Sequence, residues 1–238
     1  MNEKKMVIKE KDIREKLIVE NELKFELNSK KDFLLILNFL KKEYRITIYK
    51  TAELYDMYYD TDTKLLAKSE VSYRIRRRPQ ISINVKLPGT ITDSIWSRYE
   101  YSCKVDKKVK ENKYLFLVDC KIHKLLKKSF EINVEKDLCL VGAINTRRHG
   151  FVISKKEKNV FGNHEIIGIA FFDISIIFNT KKEIYEFEME SYEQSDVFVS
   201  PVIFEHFKKI GKYIKTLGFR QSKKTKHERC IVGDIHEN

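Results

Sequence analysis

The chain has 238 residues, 42% of them hydrophobic, with only 8 Gly and 3 Pro, so it can bury a sizeable core and offers no long flexible linker. Its formal net charge is +12 and 34% of its residues are charged, which points to a polyanionic partner (nucleic acid, an anionic membrane or a phosphorylated small molecule) or else to a merely Lys-rich surface. The 4 Cys form no CxxC pair and the 6 His are scattered, which argues against a zinc site or a disulfide framework, and no apolar run is long enough to cross a bilayer.

Residues 1–16 are a charged lead-in, with helical character at most, and lack the apolar stretch of a signal peptide; a cytoplasmic location is expected. "LIVENELKFEL" then alternates, with Val19, Leu23, Phe25 and Leu27 on one face and Glu20, Glu22, Lys24 and Glu26 on the other, which is a strand. "NSKKDFLLILNFLKKE" opens on a capping-box pattern of Ser29 and Asp32, and its apolar spacing predicts a helix. "LYDMYYDT" reads as a Tyr-rich strand. "EVSYRIRRR" sets Val71, Tyr73 and Ile75 against Arg74, Arg76 and Arg78, and "ISINVKL" sets Ile81, Ile83 and Val85 against Ser82, Asn84 and Lys86. "SRYEYSCKV" sets Tyr99, Tyr101, Cys103 and Val105 against Arg98, Glu100, Ser102 and Lys104. Leu115, Val118, Ile122 and Leu125 predict a helix over about 112–129, although residues 104–140 as a whole suggest no task. Separate strands follow at "LCLVGAINTRR", "FVISKKE", "EIIGIAFFDIS" and "EIYEFEMES". Residues 201–217 predict a final helix, with Pro201 in its first turn and Gly218 just beyond its end.

Charge is sorted among these strands. The first and the "YEFEME" strands are mainly acidic on one face, "YRIRRR" is basic, and the strands between supply Lys86, Arg98, Glu100 and Lys104. An ordinary sheet with one solvated face is one explanation. Same-sign rows repel unless opposite charge lies between them, however, so a barrel with a charged, wet interior and an apolar exterior under helices explains the sorting better. Arg and Lys facing such an interior can bind the oxygens of a triphosphate, while alternating Glu side chains can offer carboxylates to a hard divalent cation. No Ser-His-Asp order and no P-loop is present, which disfavours covalent catalysis and Walker-type phosphate binding.

These residues resemble the CYTH, or triphosphate tunnel metalloenzyme, family. "ENELK" is similar to its ExExK signature, "YDMYYDTDTKLL" to its Tyr-aromatic-Asp-Thr segment, and "YRIRRR", "INVKLPG" and "SRYEYS" to its Arg-Ile-Arg, Thr-Leu-Lys and Arg-x-Glu strands. "YEFEME" resembles its late ExE strand and "SKKTKHER" its C-terminal segment. The resemblance runs in family order from about residue 17 to 231. It implies an α+β fold, an eight-stranded antiparallel β-barrel with helices packed outside, occupying 17–232 between an N-terminal extension (1–16) and a tail (233–238). It implies Glu20, Glu22, Glu186 and Glu188 as ligands of Mg²⁺ or Mn²⁺, with Glu190 a further candidate. Lys24 and Glu100 would serve the catalytic centre, Lys24 on phosphate and Glu100 in the acidic wall. Arg74, Arg76, Lys86, Arg98, Arg148 and Lys226 would bind substrate. Lys226 has a solvated tail lysine as its alternative.

Two departures from the family pattern stand out. In "NTRRHGF", Arg148 best fits the family Arg while Thr146 replaces a Lys, and Arg147 is a rival pointing the other way. Asp173 in "FFDIS" matches a family Asp with Phe172 in place of Leu, or else serves a turn. His149 reads as solvated or packed, Asp60 as ordering the turn after its strand, and Trp96 as a packed aromatic rather than a base stack. The resemblance implies metal-dependent hydrolysis of a triphosphate-bearing small molecule, inorganic tripolyphosphate first, with no nucleic acid required, no membrane and room for a homodimer. A class IV adenylyl cyclase and a thiamine triphosphatase are alternatives on the same tunnel, and a non-catalytic polyphosphate or RNA binder is the alternative of another class.

Overall fold

The computed structural model describes residues 13–78, 80–105, 120–191, 200–222 and 224–231, with the backbone alone at 13 and 14. Its strands are β1 (Ile13–Leu27), β2 (Arg45–Asp60), β3 (Ser72–Arg78), β4 (Ser82–Thr92), β5 (Ile95–Val105), β6 (Cys139–Lys158), β7 (His164–Ile177), β8 (Glu183–Ser191) and β9 (Arg220–Gln221). Its helices are α1 (Lys30–Glu43), α2 (Leu65–Lys68), α3 (Lys121–Phe130), α4 (Val134–Asp137), α5 (Pro201–Thr216) and α6 (Lys226–Ile231).

Neighbouring strands run β5-β4-β3-β2-β6-β7-β8-β1, and β1 pairs back onto β5, so eight antiparallel strands close into a barrel. The length of β1 makes closure possible: its residues 13–23 run against β5 and its residues 22–27 against β8. Closure removes the exposed edges that an open sheet would present. Strand β9 lies outside the ring and adds two pairs to the end of β1.

Side-chain alternation places the apolar faces outward. Tyr73 and Ile75 of β3, Ile83 and Val85 of β4 and Cys103 of β5 are fully buried against Ile122 and Leu126 of α3. On the far side Leu23, Phe25, Phe187 and Met189 pack against Ile36 and Leu40 of α1 and Phe207, Ile210 and Ile214 of α5. Each such side chain stabilises the fold by about 1.5–3 kcal/mol. Because these cores lie between barrel and helices, the interior of the barrel is free to be polar.

The ends of the helices follow their sequence signals. Ser29 accepts from the Lys31 amide, and Asp32 reaches back to the Ser29 amide at 2.9 Å, completing the capping box of α1. Helix α5 starts on Pro201 and is followed by Gly218 at φ +85. Elsewhere the expected boundaries move. Strand β1 begins at Ile13, inside the charged lead-in, because residues 13–16 find partners on β5. The two strands expected on either side of His149 and Gly150 are one, β6. Gly150 does not turn the chain; a Cβ there would meet the rings of Phe171 and Tyr49 at 3.1 Å each, so the missing side chain makes room between strands. Of the helix expected over 112–129, the described part is α3, and residues 112–119 lie outside the described residues, as does the tail at 233–238.

Helix α6 closes one end of the barrel. Cys230 packs with Tyr58, Ile144, Ile177 and Ile184, and Gly142 permits the approach, since a Cβ at that position would lie 2.7 Å from the Cβ of Cys230. Asp60 orders the turn after β2, as expected: its carboxylate accepts from the amides of Thr61 (2.7 Å), Leu66 (2.9 Å) and Ala67 (3.0 Å), holding α2 in place.

Candidate active site

The barrel encloses a cavity of about 410 Å³, room for roughly a dozen waters at about 30 Å³ each. Into it β1 aims Glu20, Glu22 and Lys24, β3 Arg74 and Arg76, β4 Lys86, β5 Arg98 and Glu100, β6 Arg148, β8 Glu188 and Glu190, and α6 Lys226. Register is what makes this interior tolerable. Glu20 stands directly opposite Arg98, Lys86 opposite Glu100, Asp56 opposite Arg76, Lys24 opposite Glu188 and Arg148 opposite Asp173. The sign sorting in the sequence thus becomes cross-strand pairing in the barrel.

Two groups of three carboxylates form, each with ligand oxygens within 4.8 Å of one another. The first is Glu20, Glu22 and Glu190. Glu20 accepts from Lys86 at 2.5 Å and Arg98 at 3.2 Å, and Arg98 also donates to Glu22. Burial pushes the Glu20 carboxyl up, but Lys86 and Arg98 outweigh it and leave it at about 2. Glu22 is raised, first by burial and then by the charge of Glu20. Glu190 is pushed up to about 8 by the same two causes. Burial and like charge thus push Glu22 and Glu190 toward the protonated form, which a cation held among the three would reverse.

The second trio is Asp173, Glu186 and Glu188, and cations enclose it. Lys226 reaches Asp173 at 2.7 Å and both Glu186 and Glu188 at 3.3 Å. Lys24 lies 3.4 Å from Glu186 and 3.0 Å from Glu188. Arg148 donates to both oxygens of Asp173, at 2.8 and 2.7 Å, and to Glu188. Burial raises the Glu188 carboxyl, yet Lys226, Lys24 and Arg148 hold it well below the carboxylate range. Lys226 is held well above the lysine range by Asp173, Glu188 and Glu186, against burial. The four carboxylates expected as ligands do not converge at one point. Glu20 and Glu22 meet Glu190, whereas Glu186 and Glu188 meet Asp173. A hard divalent cation prefers carboxylate oxygens, and Glu20, Glu22 and Glu190 offer such a set; the second trio is crowded by Lys24, Lys226 and Arg148, although neither oxygen of Glu186 has a hydrogen-bond partner among the described residues.

The remaining expected residues sort clearly. Lys226 is 8% exposed, not a solvated tail lysine. Arg148 faces the cavity, and Arg147 points out to Glu53 at 2.8 Å. Thr146, in the place of the family Lys, is buried on Ser175 at 2.8 Å. Asp173 is fully buried in the ion-pair network rather than in a turn. Glu100 accepts from Asn84 at 2.9 Å and lies near Lys86 and Arg74. His149 bonds to Thr51 on the outside. Trp96 lies 5.5 Å from the Arg98 guanidinium and walls a side pocket of about 70 Å³.

Asp56 is the residue that sequence reading passed over. It accepts from Arg76 at 2.6 and 2.8 Å and from Arg74 at 3.4 Å, bracing both guanidinium groups, while burial works against its ionisation. The two arginines outweigh burial and hold its carboxyl well below the usual range. A signal was present: Leu54, Asp56 and Tyr58 alternate with the outward Tyr55, Met57 and Tyr59.

The profile of the CYTH domain family matches residues 19–200. No curated protein matches the chain in sequence. Among solved structures, a protein from Hippeastrum, described as an adenylyl cyclase candidate with a dominant triphosphatase activity, superposes with a TM-score of 0.60 at 18% identity, covering 91% of this chain and 97% of its own. A protein from Bacillus halodurans, described as an adenylate cyclase candidate, superposes with a TM-score of 0.59 at 21% identity, covering 90% of this chain and 97% of its own. At these identities the likeness is one of fold. Among the described residues, no helix is long and apolar enough to cross a membrane.

Proposed function

The chain belongs to the CYTH domain family, and from that premise we propose that residues 17–232 act as a triphosphate tunnel that hydrolyses a triphosphate-bearing small molecule, inorganic tripolyphosphate first, with Mg²⁺ or Mn²⁺. The observation that carries the proposal is the imbalance inside the barrel. Nearly every cation in the lumen is already matched by a carboxylate, so a polyanion arriving alone would meet repulsion as well as attraction. A divalent cation arriving with it would favour the ionised forms of Glu22 and Glu190, whose carboxyls burial and the charge of Glu20 push up. A polyphosphate or RNA binder would have no use for those carboxylates. The activity attached to the Hippeastrum protein is in keeping with this reading.

The roles follow from position. Glu20, Glu22 and Glu190 hold the cation, which when bound withdraws charge from phosphoryl oxygens and lowers the pKa of a water. Lys86 and Arg98, which pair with Glu20 and Glu22, would be free to donate to phosphate oxygens if a cation held those carboxylates. Arg74 and Arg76 receive the next phosphate with the fork geometry of guanidinium, already aimed by Asp56. Arg148, Lys24 and Lys226 form a cationic wall whose charge is fixed by Asp173, Glu186 and Glu188. A cation held there would itself lower the pKa of the attacking water, so no separate protein base is invoked.

A second reading is favoured by one feature. Ile18, Ile169 and Phe171 line the cavity beside Arg148 and Glu190, an apolar wall for which a bare polyphosphate has no use. It suits the organic part of ATP or thiamine triphosphate. Purified protein offered tripolyphosphate, ATP and thiamine triphosphate, each with Mg²⁺ and with Mn²⁺, decides among these when both phosphate release and cyclic AMP are scored. Metal-dependent phosphate release from tripolyphosphate supports the first reading, cyclic AMP from ATP supports a cyclase, and metal-independent binding without turnover removes both.

A further inference from the structure

Outside the barrel, the fold assembles a second set of metal-ligating groups that the tunnel does not use. Cys103 of β5 and Cys120, the residue preceding α3, are 0% and 1% exposed, and their sulfurs are neighbours. The Sγ atoms and a carboxylate oxygen of Glu15 on β1 all lie within 4.8 Å of one another. His123, one turn into α3, lies beside Cys120, its amide donating to the Cys120 carbonyl at 3.1 Å. Its Nε2 is held by the Tyr73 hydroxyl at 3.0 Å, which leaves Nδ1 for the cluster. Glu15 is itself fixed, accepting from the Lys121 amide at 2.5 Å. Three separated pieces of chain thus bring two sulfurs and one carboxylate to one place, with His123 next in line on the first turn of α3. Cys103 alternates with Ser102 and Lys104, which line the cavity, so it faces away from the lumen, and the inference stands apart from the tunnel's chemistry.

We propose that Glu15, Cys103 and Cys120, completed by His123 turning its Nδ1 toward them, form a structural site for a thiophilic divalent cation such as Zn²⁺, stapling β1 and the start of α3 to the outer barrel wall. The donor set is the mixed S, N and O set that Zn²⁺ takes in four-coordinate sites, and Cys120 and His123 have the short C-x2-H spacing that lets one helix start offer two ligands. The Tyr73 hydroxyl on the remote imidazole nitrogen is the outer partner that orients ligating histidines. Hard cations do not compete: Mg²⁺ selects oxygen donors and Zn²⁺ or Cd²⁺ selects sulfur. The absence of a CxxC pair hid the set, because the sulfurs come from separate elements and meet only in the fold.

Cadmium titration of the reduced full chain tests this directly, read by the ultraviolet thiolate-to-metal charge-transfer band and by native mass spectrometry. The proposal expects one Cd²⁺ per chain in the presence of excess Mg²⁺, an unchanged result in Cys139→Ser, and loss of the band in Cys120→Ser. Tyr73→Phe, which keeps the ring, weakens the affinity by about tenfold. A wild-type chain that shows no band, or a band that survives in Cys120→Ser, overturns the proposal without reliance on any variant's folding. So does recovery of Cys103 and Cys120 as a disulfide from chain purified without reductant, since oxidised sulfurs cannot serve as these ligands.

Discussion

Replacing Lys226 by Met tests whether the charge network inside the barrel holds the fold as well as the substrate. The ammonium lies 2.7 Å from Asp173 and 3.3 Å from Glu186 and Glu188, and the side chain is 8% exposed. Removing one partner of a buried ionic cluster costs about 3–5 kcal/mol, because the charges left behind stay desolvated and unpaired. Lys24 still touches Glu186 and Glu188, and Arg148 still touches Asp173, which places the cost near the lower end, about 3 kcal/mol. For a domain of this size that corresponds to a fall in Tm of about 6–12 °C, measured by circular dichroism or calorimetry. Asp173→Asn made alone should destabilise similarly, while the double variant should lose less than the sum, with a coupling of about 0.5–3 kcal/mol in the thermodynamic cycle. A Lys226→Met protein that melts within about 1 °C of the wild type, well inside the shift expected from one kcal/mol, would show that these groups are solvated and the reasoning wrong.

Glu20→Gln combined with Glu22→Gln should leave the far-ultraviolet spectrum unchanged and remove metal-dependent phosphate release; unchanged release rejects the assignment of that trio. Arg148→Ala should raise KM and lower kcat, whereas Arg147→Ala, whose side chain points to solvent and to Glu53, should match the wild type in both Tm and turnover. Gly89→Ala should cost about 1–3 kcal/mol and raise KM, since the new Cβ would lie 2.4 Å from the Ser97 carbonyl and 2.6 Å from the Arg98 Cβ, displacing Arg98, the proposed phosphate-binding residue. Asp56 makes stability pH-dependent: its folded pKa lies below its unfolded value of about 4, so its contribution is complete above that pH and is lost as pH falls through the folded value. Asp56→Asn should therefore flatten the acid limb of a Tm-against-pH curve, and an acid limb parallel to the wild type's contradicts it.

Much of this was legible in the sequence because a strand's period is two. The alternation of Tyr73 and Ile75 with Arg74 and Arg76, and of Glu186 and Glu188 with Phe187 and Met189, fixes which face is charged, and burial of the apolar face follows. What the period does not carry is which charged residue meets which. That the carboxylates divide into Glu20, Glu22 and Glu190 on one side and Asp173, Glu186 and Glu188 on the other depends on register between strands distant in the chain. Asp56 escaped notice because a single acid among tyrosines carries no same-sign row to mark it. The break between strands expected around His149 and Gly150 is absent because Gly150 serves close packing between strands. The helical α6 escaped because its six residues are too few for a helical period to declare itself, and its position is set by Cys230 packing into the barrel end.

For the proposed activity a divalent cation and a triphosphate must meet inside the barrel. Crystals soaked with Mn²⁺ and a non-hydrolysable imidotriphosphate, phased at the manganese edge, measure that directly. The expected result is an anomalous peak bounded by Glu20, Glu22 and Glu190, with phosphate density against Lys86, Arg98, Arg74 and Arg76. Manganese found only on the outer surface, with an empty lumen between ordered side chains, contradicts it.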